Sequence, residues 1–435
     1  MQSNQNNFVL NKWRKHLIKR SDKNNKIQIK DVKFPSFYLP PLSDSAELFG
    51  NITSQKQIID ILEKRHNTDL EISNASRYAL YGKGIGLRTF DKLIVWLNKI
   101  PMNFDNMFTD KLMARVLSSI KVGSNAGGWL AAIHSWEVNL TASDITGRHE
   151  CEPLFSFITH RCNTDKKLLA GIIKEIKSGK IKTDDLAAVW QHQKMLWRDN
   201  PYIPSGIIEN VFTLSELRRK KATINKEERL SIIESECYLL FDFYMEIITH
   251  YEIGCRIYFT KENDEISKDL GLITKIIEAY ATDDAINTCF DSMIRQFTIS
   301  FTELVGETGY RKLASFIEIN EDGSSELVVD RQYNQLKDWR KGKNLPSKEK
   351  LSHFSSNLAL FINYDDDSSD SYLIFMLCII AIGVDKLLKQ YIEQRADDTC
   401  CKKDIEVIIK KVLANIPNYY KTNLSNELKK KESAT

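Results

Sequence analysis

The sequence predicts a mostly α-helical protein of several domains, with one or two helix-turn-helix-like units and at most a small β-hairpin. Three observations lead there. Apolar residues recur at helical spacing from about residue 54 to 420, as in the five-turn run Leu230–Ile248, which is apolar on more than one side and therefore belongs among other helices. The chain of 435 residues is too long for one hydrophobic core. Short helical patterns also end in Gly-Lys and are followed by Ser- or Thr-capped amphipathic stretches.

Taken in order, residues 1–45 open with a basic arm in which Lys12, Arg14, Lys15, Lys19, Arg20, Lys23, Lys26, Lys30 and Lys33 face only Asp22 and Asp31. Such an arm suits phosphates or an acidic surface, or stands as a solvated terminus. Phe34–Pro41 cannot be helical because of its prolines, and its aromatics need cover, so it is expected as an extended strap. A unit over 46–105 follows, then a central helical region over 106–300. Within that region Gly254–Lys261 is the best strand candidate and Asn200–Pro204 a linker. A second unit spans 301–363, and 364–435 holds C-terminal helices with a disordered basic tail from Lys429.

The most informative stretch is Tyr333–Leu351. Tyr333, Leu336 and Trp339 give one apolar face, while Asn334, Gln335, Lys337, Arg340 and Lys341 supply groups that hydrogen-bond base edges or neutralise phosphates. Gly342 fits a helix C-cap and Ser347 an N-cap; Leu351, Phe354 and Leu358 form the buried stripe of the next helix. On these residues the region 301–360 resembles the helix-turn-helix domains of the Cro and lambda-repressor class, with Arg311–Ile317 as the first motif helix and Ala314 at its small-residue position. The connection from Glu318 to Asp330 is longer than the roughly 3–4 residue turn of such motifs. Residues 73–98 resemble the same family, with a helix ending at Gly82-Lys83 and a Thr89-capped helix carrying Phe90, Leu93 and Leu97.

The resemblance implies duplex DNA as partner, bound by a homodimer or with a partner protein, in transcriptional regulation or a mobile-element or anti-phage role. It implies that Arg331, Gln332, Asn334, Gln335 and Lys337 face the major groove while Arg340, Lys341 and Lys343 hold phosphates. In the earlier unit Asn74, Ser76 and Arg77 would read bases, with Lys83 and Arg88 at the backbone. Two other classes stay open: a helical scaffold whose hairpins are only packing, and an effector enzyme such as a nuclease with its site in 106–300.

Chemistry elsewhere is sparse. His149, Cys151, His160 and Cys162 are the weak candidates for a metal, in a spacing that matches no standard zinc module. Asp365–Asp370 precedes the apolar run Tyr372–Val384 and is explained by helix capping. That run, thirteen residues long, is too short to span a bilayer and is expected as a buried helix. Gly82, Gly84 and Gly86 lack the spacing of a phosphate loop, and no catalytic motif or cofactor is implied. Net charge is only +3, so any nucleic-acid affinity must come from local patches. With no secretion signal, the chain is expected in the cytoplasm with its eight cysteines reduced.

Overall fold

The computed structural model describes residues 37–45, 110–142, 150–182, 186–210, 225–260, 264–305, 309–319, 327–362 and 368–434, with short pieces between 48 and 96. Among them every regular element is helical. The chain divides into two compact units, one of residues 1–46 and 52–196 and one of 47–51 and 197–435, so the main boundary, Leu196/Trp197, falls inside the stretch read from the sequence as one central region.

The first unit contains α1 (Asp110–Lys121), α2 (Ala126–Ala142), α3 (Glu152–Lys177) and α4 (Leu186–Gln193). Leu169, Ile172 and Ile176 on α3 share a core with Ile181 and Val189. Of the expected strap, residues 37–41 are described; they are non-helical but bent rather than extended, with Tyr38 and Leu39 buried and their neighbourhood held by side chains. Trp129 Nε1 donates to the Pro40 carbonyl at 2.7 Å, Asn125 Nδ2 donates to the Leu39 carbonyl at 2.9 Å, and the Arg161 guanidinium lies 4.1 Å from the Tyr38 ring centre. Each neutral bond of this kind contributes about 1 kcal/mol net, and the alternative is a buried carbonyl without a partner.

The second unit is organised by α5, which runs from Lys226 to Phe259 and is 34 residues long. A capping box starts it: Asn225 accepts from the Glu228 amide while Glu228 accepts from the Asn225 amide. Where a strand was expected at Gly254–Lys261, Gly254–Phe259 is instead the end of this helix, and Lys261 lies outside the described residues. Aromatic and β-branched residues favour strands locally, but here Ile253 and Ile257 pack with Tyr420 and Leu424, and tertiary burial overrides the propensity. The expected linker Asn200–Pro204 is also tied down, since Asn200 Nδ2 donates to Asp242 at 2.6 Å and Ile203 is buried.

Around α5 lie α6 (Leu272–Thr282), α7 (Cys289–Val305), α8 (Tyr310–Ala314), α9 (Val328–Arg340), α10 (Lys348–Ile362), α11 (Ser368–Arg395), α12 (Lys402–Leu413) and α13 (Ile416–Ala434). As expected, the apolar run within α11 is core, with Cys378 through Ile382 and Val384 buried. Among the described residues no helix is long and apolar enough to cross a membrane. The tail expected to be disordered continues α13 to Ala434, supported by the Lys430–Glu427 pair at 2.5 Å.

Two helices of this unit are started by carboxylates from elsewhere in the chain. Glu252 on α5 accepts from the amides of Ile273 and Thr274 at 2.5 and 3.1 Å, and from the Thr274 hydroxyl at 2.6 Å. Asp385 on α11 accepts from the amides of Cys289 and Phe290 at 2.7 and 3.0 Å. Each satisfies donors that a helix start leaves open, in the position the macrodipole favours for negative charge. The Glu252 head occupies the space beside Gly271, where an added Cβ would lie 2.0 Å from Glu252 Cδ.

Candidate nucleic-acid interface

The geometry of α9 follows from two side chains. Leu336 and Trp339 are fully buried, with the Trp339 ring edge-on between Phe290 and Phe354 at 6.3 and 6.1 Å. That fixes the rotation of the helix. Arg331, Asn334, Gln335 and Asp338, spaced i, i+3, i+4 and i+7, then share one stripe on another side. They form a wall of an open groove of about 530 Å³ whose remaining lining includes Asn344, Ser347 and Lys350. Trp339 reaches the same groove, and its indole N–H has no hydrogen-bond partner among the described residues.

Both ends of the groove are set by local sequence. Gly342 adopts φ +68°; the Lys343 amide donates to the Asp338 carbonyl at 2.8 Å and the Gly342 amide to the Trp339 carbonyl at 2.9 Å. This is a Schellman ending, available cheaply only to glycine. Asn344, at φ 47°, turns the chain again, and Ser347 Oγ accepts from the Lys350 amide at 3.3 Å to open α10.

The residues assigned to DNA in this unit separate into two groups. Arg331, Asn334 and Gln335 line the groove, and Lys337, Lys341 and Lys343 are exposed, without an ion pair to any described residue. Gln332 and Arg340 point the other way. Gln332 Nε2 donates to the carbonyls of Ser315 and Ile317 at 3.2 and 2.7 Å, while Asn357 Nδ2 donates to that of Phe316 at 3.0 Å. These two amides satisfy the carbonyls left open where α8 ends. Ala314 beside them is fully buried, in keeping with a close approach at that position.

Arg340 was expected at a phosphate and is committed inside the unit. Its Nε donates to Asp291 Oδ1 at 2.6 Å, its guanidinium lies 3.6 Å from the Tyr310 ring centre, and its carbonyl accepts from the Thr288 hydroxyl at 3.2 Å. Asp291 is fully buried and also accepts from the Asn287 amide and side chain. A buried carboxylate requires such partners, and that requirement decides the direction of Arg340. The Thr288-x-x-Asp291 spacing was the available sequence signal, since Thr288 Oγ1 accepts from the Asp291 amide at 2.9 Å.

Behind this contact, burial pushes the Asp385 carboxyl up to about 7, although the Phe290 and Cys289 amides pull it back down. Asp338, on the groove stripe, is approached by Asn344 Nδ2 at 3.5 Å.

Asn74, Ser76, Arg77, Lys83 and Arg88 lie outside the described residues, as does His149. Cys162 is fully buried, its thiol pushed up to about 12 mainly by burial; Cys151 is pushed up to about 11 for the same reason, and His160 is exposed. Among the described residues no group of three or more His, Cys, Asp or Glu is placed to hold a metal ion. A smaller cavity of about 190 Å³ is lined by Arg229, Glu236 and Arg395, with the arginines held by Asp397 at 3.2 Å and Glu236 at 2.9 Å.

No family model, no curated protein and no solved structure matches this chain.

Proposed function

We propose that residues 310–362 bind double-stranded DNA, with α9 in the major groove and the lysines around its C-terminal end on the phosphates. The observation that carries this reading is the division of α9 into a buried apolar side, Leu336 and Trp339, and a stripe of Arg331, Asn334 and Gln335 on the wall of an open groove. Arginine pairs bidentately with guanine, and Asn or Gln with adenine. Lys337, Lys341, Lys343, Lys348 and Lys350 are all exposed near its end, a local positive patch on a nearly neutral chain. Transcriptional regulation, or a mobile-element or anti-phage role, and binding as a dimer across two half-sites belong to this reading.

The test is fluorescence anisotropy with labelled duplex at about 50 and about 200 mM salt, where several phosphate contacts cost at least roughly tenfold in affinity. No binding at the lower salt overturns the proposal. A scaffold reading is favoured by one specific observation, the commitment of Arg340 and Gln332 to partners within the unit. It predicts that the lysine patch binds no duplex and that the partner is a protein.

A further inference from the structure

The start of α9 breaks two ordinary rules at one place. Its N-cap is Leu327, with no side-chain capping bond, where Ser, Thr, Asp or Asn is favoured by about 1 kcal/mol. Leu327, Val328 and Val329 are also 72, 47 and 53% exposed, three consecutive large apolar residues facing water. Solvation explains neither choice, and local rules fail together mostly where function requires it.

Helical spacing places this apolar turn in register with the polar stripe. Leu327 precedes Arg331 by four and Asn334 by seven residues; Val328 precedes Arg331 by three and Gln335 by seven. The acid of this turn, Asp330, is engaged by Arg311 at 3.1 Å. One side of the helix therefore presents, from its first turn onward, two aliphatic groups, a guanidinium and two amides. In the major groove the one apolar feature among the base edges is the thymine 5-methyl group.

We infer that Leu327 and Val328 are specificity-determining residues that pack against thymine methyl groups next to the bases read by Arg331, Asn334 and Gln335. This rests on the proposed function and names the sequence class it selects, sites in which thymine lies under the first turn of α9. A protein partner on the same turn is the competing occupant. Continuity with the amide and guanidinium stripe favours DNA.

The full-length protein is used to enrich binders from a random duplex pool, and the enriched duplex is resynthesised with deoxyuridine in place of thymidine, which removes only the methyl groups. Wild-type affinity should fall about fourfold for each contacted methyl lost. Leu327→Ser with Val328→Ser, exposed changes expected to leave the melting curve intact, should bind both duplexes equally and keep the wild-type salt dependence. Enrichment followed by equal wild-type affinity for the two duplexes overturns the inference and leaves DNA binding standing. Failure to enrich any duplex overturns both. A double variant that keeps the thymine preference but loses self-association in sedimentation velocity also overturns it, and assigns the turn to a second copy of the chain.

Discussion

Arg340 and Asp291, 49 positions apart, meet at 2.6 Å, and this bond fixes the end of α9 to the start of α7. Asp291 has no exposed surface and Arg340 little, so the pair is shielded from the screening that makes surface ion pairs weak.

Removing the Arg340 guanidinium takes from a buried carboxylate its close charged hydrogen bond. Arg340→Ala is expected to destabilise the protein by about 2–3 kcal/mol, below the value for a fully isolated charge because Asn287 still donates to Asp291 and the Arg295 guanidinium stays 3.7 Å from it. Urea denaturation of the two single variants and the double variant Arg340→Ala, Asp291→Ala checks this. Additive losses would contradict a direct coupling.

Lys337, Lys341 and Lys343 carry no comparable structural duty. Replacing all three by alanine should change stability by less than about 0.5 kcal/mol. The same variant should flatten the dependence of log affinity on log salt by about 0.9 per lost phosphate contact. Anisotropy titrations across salt read that slope, and an unaltered slope removes these lysines from the interface.

Asp385 gives a pH dependence of defined sign. Its folded pKa of about 7 lies above the ordinary 3.8, so the folded state holds the proton more tightly between those values. Its contribution to stability is complete below about pH 4, declines as pH rises towards 7, and is level above that. Asp385→Asn, which stays uncharged and retains an acceptor for the Cys289 and Phe290 amides, should lose this decline. Denaturant midpoints of both proteins at about pH 4.5 and about pH 7.5 should show wild type losing ground to the variant on going up.

Gly342→Ala places a Cβ in the left-handed region at φ +68° and 3.3 Å from Thr288 Cγ2. The expected cost is about 1–2 kcal/mol, with Gly342→Asn milder because asparagine tolerates that conformation. Thermal melts of the two variants should rank them in that order.

What could be read from the sequence was local. Gly342 and Ser347 announce a helix end and a helix start because the required backbone and side-chain bonds span only a few residues. The prolines around Leu39 likewise exclude helix whatever surrounds them. The direction of Arg340 was not legible, since its partner is far away in sequence and an arginine in the last turn of a helix is favourable facing either way. The direction of Gln332 is hidden for a similar reason: the carbonyls it satisfies, at Ser315 and Ile317, lie just past the end of the previous helix. The exposure of Leu327 and Val328 is not legible in the sequence either, because apolar residues read as core until the packing around them is known.

The carboxylates Glu252 and Asp385 have a consequence for how the second unit comes apart. Each seals the first amides of a helix that neither belongs to, so α6 cannot fray from its start without uncovering Glu252, nor α7 without uncovering Asp385. Partial opening strands a carboxylate in an apolar surround, which couples these helices into one cooperative block. The amides of Ile273, Thr274, Cys289 and Phe290 sit at helix starts, where hydrogen exchange is ordinarily fast. Here they are expected to exchange slowly, only when the whole block opens, and a hydrogen-exchange time course checks this.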